Sequence, residues 1–331
     1  MADFTHSHAL CVAPMMDWTD RHCRFFLRQV SSRAVLYTEM ITTGALIHGD
    51  AERHLAFSAE EHPVGAQLGG SEPADLARCA SMVQAFGYDE VNLNCGCPSE
   101  RVQRGAFGAC LMAEPELVAD CVRSMWEKLS IPVTVKHRTG IDREESYDFL
   151  ARFVDRVSRA GCTTFIVHAR NAVLKGLSPK ENREIPPLKY AYVHRLKRDF
   201  PQLEIVINGG IATRDQIRDQ QGLVDGVMLG RAAYHDSWVL ADPGTTRAGV
   251  VHAMAEYARG LNGLRPLARH MLGLYHGHSR ARLWRRMLSD PARLSQNDPA
   301  LLLDALEAVE SGPKESPHER RPQAEELQAR P

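Results

Sequence analysis

The 331-residue chain has almost no net charge: 40 lysines and arginines stand against 41 acids, a formal balance of −1. The total therefore points to no class of charged partner. No apolar run approaches the roughly 18 residues that a membrane span needs, and the first residues lack the basic-then-apolar order of a secretory leader. The eight cysteines (11, 23, 79, 95, 97, 110, 121 and 162) stand singly, mostly inside apolar segments, and spell out no disulfide framework. They read as reduced thiols, which predicts a cytoplasmic protein. No G-x-G-x-x-G follows the first strand-like run, which argues against an open doubly wound dinucleotide fold. Cys95 and Cys97 form a C-x-C, but no second ligand pair stands at metal spacing, so no metal is expected.

What the chain does have is a large apolar inventory, 44% hydrophobic against 24% charged, enough for a substantial core. Strand-like runs cover 10–16, 34–40, 63–70, 90–97, 132–138, 163–169, 204–210 and 226–231, each followed by a helix-like segment. Several are nearly continuous in apolar residues, as parallel strands buried on both faces should be. Eight βα units in series predict an α/β fold, a (β/α)8 TIM barrel, over residues 1–244. From 245 to 310 the pattern is helical only, which predicts a small all-α domain. The stretch 311–331, with four prolines, many charges and one large apolar residue, Leu327, is expected to be disordered.

Barrel chemistry sits at the C-terminal ends of the strands, and here those ends are polar. Lys136 closes an apolar run, where an unpaired ammonium is costly to bury. It needs either an acid such as Glu39 or an acceptor-rich ligand, for which the N1–C2=O edge of a flavin would serve. Asn208-Gly209-Gly210 and Gly230-Arg231 fall after the last two strands, where barrels often hold a phosphate. The alternative is that these glycines serve only tight turns. His168 ends the sixth strand, between Lys136 and the glycine pair. The run Val91-Asn92-Leu93-Asn94-Cys95-Gly96-Cys97-Pro98-Ser99 lifts the Cys97 thiol off a strand end, while alternation turns Cys95 outward from Asn94. Beyond the barrel, residues 259–295 hold eight arginines and one acid, Asp290, too few local partners for a salt-bridge array. Arg282, Arg285 and Arg286 would share one helix face, with Leu283 and Met287 on another that packs on the domain core.

Taken together, the segments A-P-M-M-D-W-T-D-R (13–21), Q-L-G-G (67–70), N-L-N-C-G-C-P-S (92–99), P-V-T-V-K (132–136), V-H-A-R (167–170), I-N-G-G-I (207–211) and V-M-L-G-R (227–231) resemble the tRNA-dihydrouridine synthase family. The loop G-L-S-P-K-E-N-R-E-I-P-P-L (176–188) resembles its A-type subfamily. The resemblance covers about residues 10–288. It implies FMN as cofactor, NADPH as reductant and uridines 20 and 20a of the tRNA D loop as substrate. FMN contacts are implied at Pro14, Met15, Met16, Gln67, Lys136, His168, Asn208, Gly209, Gly210, Gly230 and Arg231, and a proton donor at Cys97. tRNA contacts are implied at Asn94, Lys180, Arg183, Arg282 and Arg285. Cys95, His137, Thr139 and Asn171 depart from the family pattern.

Such an enzyme adds a hydride at C6 and a proton at C5 of uracil, the proton from a thiol, which when free is mostly protonated at pH 7. The base must leave its stack, which is easier in a loop than in a duplex. A monomer working without metal or membrane is expected. Two competing readings remain: a flavin barrel reducing a free pyrimidine or an enone, and an RNA-binding module on an inactive barrel. The arginine-rich segment speaks against the first, and intact Cys97, Lys136 and His168 against the second.

Overall fold

The computed structural model describes residues 8–311; the expectation of disorder at 312–331 lies outside the described residues. The chain divides into two compact units between Thr246 and Arg247, two residues later than the pattern change at 244.

In the first unit nine parallel strands form one sheet: β1 (Leu10–Val12), β2 (Leu36–Tyr37), β3 (Ile41–Thr42), β4 (Val64–Gly69), β5 (Glu90–Cys95), β6 (Val133–Arg138), β7 (Thr164–His168), β8 (Glu204–Asn208) and β9 (Gly226–Leu229). The order is β1-β9-β8-β7-β6-β5-β4-β2, with β3 also on β4. A parallel bridge from Cys11 to Val35 brings β1 back against the segment entering β2 and closes the ring. β2 and β3 are two halves of one barrel position, since both pair with β4, Leu36 opposite Val64 and Ile41 opposite Leu68. The fold is therefore a (β/α)8 barrel.

The one broken strand was expected to run unbroken from Ala34 to Met40. Its interruption has a local cause. The Thr38 hydroxyl donates to Glu39 O and accepts from Gln67 N, so a side chain takes the place of a backbone ladder partner. Helices between the strands start where sequence chemistry allows: Asp20 accepts from the backbone of His22 and Cys23, and Pro73 and Pro115 open two of them.

The barrel interior has two characters. Cys11, Ala13, Val35, Tyr37, Ile166, Val206 and Met228 form an apolar cluster with Met15 packed on it. On β4–β6 the facing positions are polar: Gln67, Glu90, Asn92, Asn94 and Thr134, all buried. The sequence reading of those strands as apolar holds for Val91, Leu93 and Cys95, which alternate with the polar set.

The second unit contains the helices Arg247–Ala258, Ala281–Leu288 and Ala300–Glu310 among shorter turns. Its centre is Trp284, fully buried, with Nε1 donating to Met271 O at 2.8 Å and the ring 4.8 Å from Tyr275. Among the described residues no helix is long and apolar enough to cross a membrane.

Candidate active site

β5 ends at Cys95, and the turn that follows carries Cys97 half-exposed at the mouth of the barrel. Asn94 holds this turn. Its Oδ1 accepts from Gly96 N at 3.1 Å and Cys97 N at 3.0 Å, and its Nδ2 donates to Gln67 Oε1 at 2.8 Å. The Cys97 sulfur lies 3.5 Å from Ser99 Oγ. Cys95 is fully buried, and burial raises its thiol well above the ordinary range. Among the described residues no cluster of three His, Cys, Asp or Glu side chains could hold a metal ion.

Opposite this turn lie cations without carboxylates. Lys136 Nζ donates to Asn208 Oδ1 at 3.2 Å, and among the described residues it has no acid in ion-pair range. Glu39, its possible partner by sequence, accepts from Asp17 N instead. Burial first, then the positive charge of Arg138, pushes the Lys136 ammonium down to about 7, with the Cys97 sulfur acting in the opposite direction. Arg138 is buried and donates to three backbone carbonyls, Gly96 at 3.1 Å, Asn171 at 3.2 Å and Asn182 at 2.8 Å. It ties the Cys97 turn to the 176–188 loop. His168 is held well below its ordinary value, by burial and then by Arg138, Lys136, Arg170 and Arg183, so it is neutral.

The residues singled out for a phosphate form the adjoining corner. Gly209 and Gly210 both have positive φ, 110° and 74°. A Cβ on Gly209 would sit 2.7 Å from His168 Cδ2, and one on Gly210 2.7 Å from Leu188 Cδ1, so both positions require glycine. A Cβ on Gly230 would meet Ala13 Cβ and Met15 Sδ at 3.9 Å, an ordinary contact. Pro14 and Met15 are half-buried, while Met16 is exposed. Arg231, expected as a phosphate donor, makes an ion pair with Glu184, leaving only its remaining N–H groups for an anion. Arg170 Nε is buried without a partner, as are His137 Nε2, Thr139 Oγ1 and Asn171 Oδ1. Three of these four atoms belong to residues that depart from the family pattern. Unpaired cations, an orphaned guanidine N–H and glycine-only backbone fit an anionic cofactor rich in acceptors.

Lys180 and Arg183 are exposed, the first preceding and the second ending the turn Glu181–Arg183. Asn182 between them is fully buried and donates to the carbonyls of Val173, Leu177 and Ser178, which fixes the loop. In the helical unit Arg282, Arg285 and Arg286 are exposed on Ala281–Leu288, with no ion pair among the described residues. The buried face of that helix is Ala281, Trp284 and Leu288. Leu283 and Met287, expected on that face, are only half-buried, because the i, i+3, i+7 set seats the larger indole in the core. Glu90, Asn92, Arg138 and Asn182 were not among the residues singled out as site residues by sequence. Polar residues at every second position of an otherwise apolar strand, Glu90-Asn92-Asn94, were the available signal for the first two.

The mouth of the closed barrel thus gathers a held thiol, a glycine corner and two cations with no carboxylate partner among the described residues. The chain matches the sequence model of the family described as Dihydrouridine synthase (Dus) over residues 11–310. It is 54% identical to the tRNA-dihydrouridine(20/20a) synthase of Salmonella typhimurium, covering 92% of this chain and 96% of that one. It is 53% identical to the protein of that name from Escherichia coli K12, covering 93% of each, and 52% to that of Pseudomonas putida, covering 92% and 95%. A solved 2-naphthoyl-CoA reductase complex shares the fold, with a TM-score of 0.55 at 9% identity over 70% of this chain and 49% of that one. The chain belongs to the dihydrouridine synthase family, in its A-type subfamily, and is an oxidoreductase.

Proposed function

We propose that the protein reduces the C5=C6 bond of uridines in the tRNA D loop, at positions 20 and 20a, with FMN bound at the barrel mouth and NADPH as reductant. The observation that carries this reading is the Cys97 turn, held by Asn94 and faced by Lys136 and Arg138, neither of which has a carboxylate partner among the described residues. A flavin bound at the mouth would supply the hydride for C6. Pro14, Met15, Met16, Gln67, Lys136, His168, Asn208, Gly209, Gly210, Gly230 and Arg231 would hold it.

Cys97 delivers the proton to C5. Its sulfur becomes an anion as the S–H bond breaks, on a turn whose Gly96 carbonyl accepts from the Arg138 guanidinium. Asn94 orients the turn and meets the substrate. Lys180 and Arg183 on the barrel, and Arg282 and Arg285 on the helical unit, take tRNA phosphates and select the nucleotide that enters. The enzyme works as a cytoplasmic monomer.

The test begins with the absorbance spectrum of the purified protein. Flavin bands, NADPH oxidation stimulated by tRNA, and dihydrouridine mapped to positions 20 and 20a are expected. A protein that binds no FMN, or one that oxidises NADPH equally without tRNA and leaves tRNA unmodified, would overturn the reading.

A further inference from the structure

Five buried polar side chains cross the polar half of the barrel in unbroken sequence. Thr134 Oγ1 donates to Glu90 Oε1 at 3.0 Å, Asn92 Nδ2 to Thr134 Oγ1 at 2.8 Å, and Gln67 Nε2 to Asn92 Oδ1 at 2.7 Å. Asn94 Nδ2 donates to Gln67 Oε1 at 2.8 Å, and Asn94 Oδ1 then receives the backbone N–H groups of Gly96 and Cys97. None of the five residues is more than 9% exposed. At the far end Glu90 Oε2 lies 2.7 Å from His8 Nε2, and His8 Nδ1 lies 2.8 Å from Glu204 Oε2.

Both ends have fixed polarity. A carboxylate accepts only, a backbone N–H donates only, and the Thr134 hydroxyl has one proton to give. With the proton committed to Glu90, Thr134 must accept from Asn92, and each amide in turn is left with one orientation. Flipping any single amide sets N–H against N–H in a place without water. The four side chains from Thr134 to Asn94 therefore share one collective state. The apolar half of the same barrel shows that the fold has no general need of such a network; it occurs on the strands that lead to Cys97.

We infer that Glu90 and Thr134, at the opposite end of the barrel from the chemistry, are positioning residues that set the Cys97 turn through this one-way ladder. The inference rests on the reading of Cys97 as proton donor, and its test separates the two. Thr134→Val removes the hydroxyl at constant shape, and Thr134→Ser keeps it. Glu90→Gln is isosteric but introduces a donor. A His8 that keeps its Nε2 proton takes the carbonyl of the new amide and turns its NH2 against the ladder.

In the FMN-loaded full chain, two kinds of measurement are made on each ladder variant, and the first of them on Cys97→Ala as well. One is the kcat and KM of flavin reoxidation by tRNA; the other is the rate at which iodoacetamide alkylates the Cys97 peptide, followed by mass spectrometry. Thr134→Val and Glu90→Gln should lower kcat by about 10- to 100-fold, the effect of a small misplacement. KM should stay near wild type, and Cys97 alkylation should change in rate. Thr134→Ser should resemble wild type in both. If Thr134→Val and Glu90→Gln alkylate as wild type does, or if Thr134→Ser is as impaired as Thr134→Val, the ladder does not position the turn. If alkylation shifts as expected while Cys97→Ala keeps full activity, the ladder stands and the proton-donor reading falls.

Discussion

The two ends of this barrel treat buried charge in opposite ways. At the strand starts the carboxylates are paired: Glu90 with His8 and Thr134, Glu204 with His8 and Thr164, Asp225 with Lys197 and Ile205 N, Asp89 with His62 and Val64 N. At the strand ends the cations Lys136 and Arg138 rest on an amide and on backbone carbonyls, with no carboxylate among the described residues. A buried charge without a counter-ion lowers stability. Such an arrangement is expected where a ligand completes it, and the closed end of the barrel shows what the fold does when only stability is at stake.

The comparison breaks most visibly at Cys97. Cys97→Ala should leave FMN bound and its reduction by NADPH intact, while tRNA-dependent reoxidation falls by about 10² to 10⁴. Stopped-flow measurement of the two half-reactions checks this, and an unchanged reoxidation rate would remove the thiol from the chemistry.

Next in size is Lys136→Met. It should weaken FMN binding by about 1.5–3 kcal/mol, the value of a hydrogen bond to a charged group. The cofactor-free protein should melt higher than wild type. Lys136 is pushed down to about 7 in the folded chain, against about 10.4 when unfolded. Its penalty on folding is full below pH 7 and fades as pH rises toward 10.4. The gain in melting temperature should therefore be largest near pH 6 and shrink in alkali. A variant that loses stability at pH 6 would place Lys136 among paired, structural lysines.

Arg282, Arg285 and Arg286 of the helical unit extend the contrast to a surface, since they too make no ion pair among the described residues. Each phosphate contact removed by Arg282→Ala or Arg285→Ala should lower the slope of log affinity against log salt by about 0.7 to 0.9. A salt series of tRNA binding is the measurement. Wild-type slopes in both variants would direct attention to Lys180 and Arg183.

What could be read from sequence follows the same division. Strand number, the glycine corner and the Cys97 turn were legible because each is written in a few adjacent residues: apolar runs, Asn208-Gly209-Gly210, Gly96-Cys97-Pro98. The partners of those residues were not. His8 lies 82 residues from Glu90 and 196 from Glu204, and only barrel closure brings them together. Arg138 looked like one more polar strand end, and its role is visible only through the carbonyls of Gly96, Asn171 and Asn182. The pairing of Arg231 with Glu184 depends on how the 176–188 loop folds back, which residue types alone do not fix. On Ala281–Leu288 the arginine face was legible from spacing, but Trp284 took the core position assigned to Leu283 and Met287.

The smallest expected effect tests the paired end. Both ring nitrogens of His8 face carboxylate oxygens, so the folded state holds an imidazolium, raised to about 10 despite burial because Glu204 and Glu90 bond to it. Unfolded, the same group titrates near 6.5. Its stabilisation is thus complete below about pH 6.5 and is lost as pH climbs through about 10. Cys11 and Tyr37 beside it are pushed well above their ordinary values by burial. They stay protonated through this window, and their unfolded forms ionise at its upper end, so they add to the alkaline fall in wild type. Subtraction isolates the histidine. His8→Gln should melt a few degrees below wild type at pH 6, and the gap should close as pH approaches 10, opposite in sign to the Lys136→Met difference over the same range. Two melting series on cofactor-free protein are enough. If the His8→Gln gap is constant from pH 6 to 10, the histidine is neutral when folded, and the two ends of the barrel do not differ in the way their charges are held.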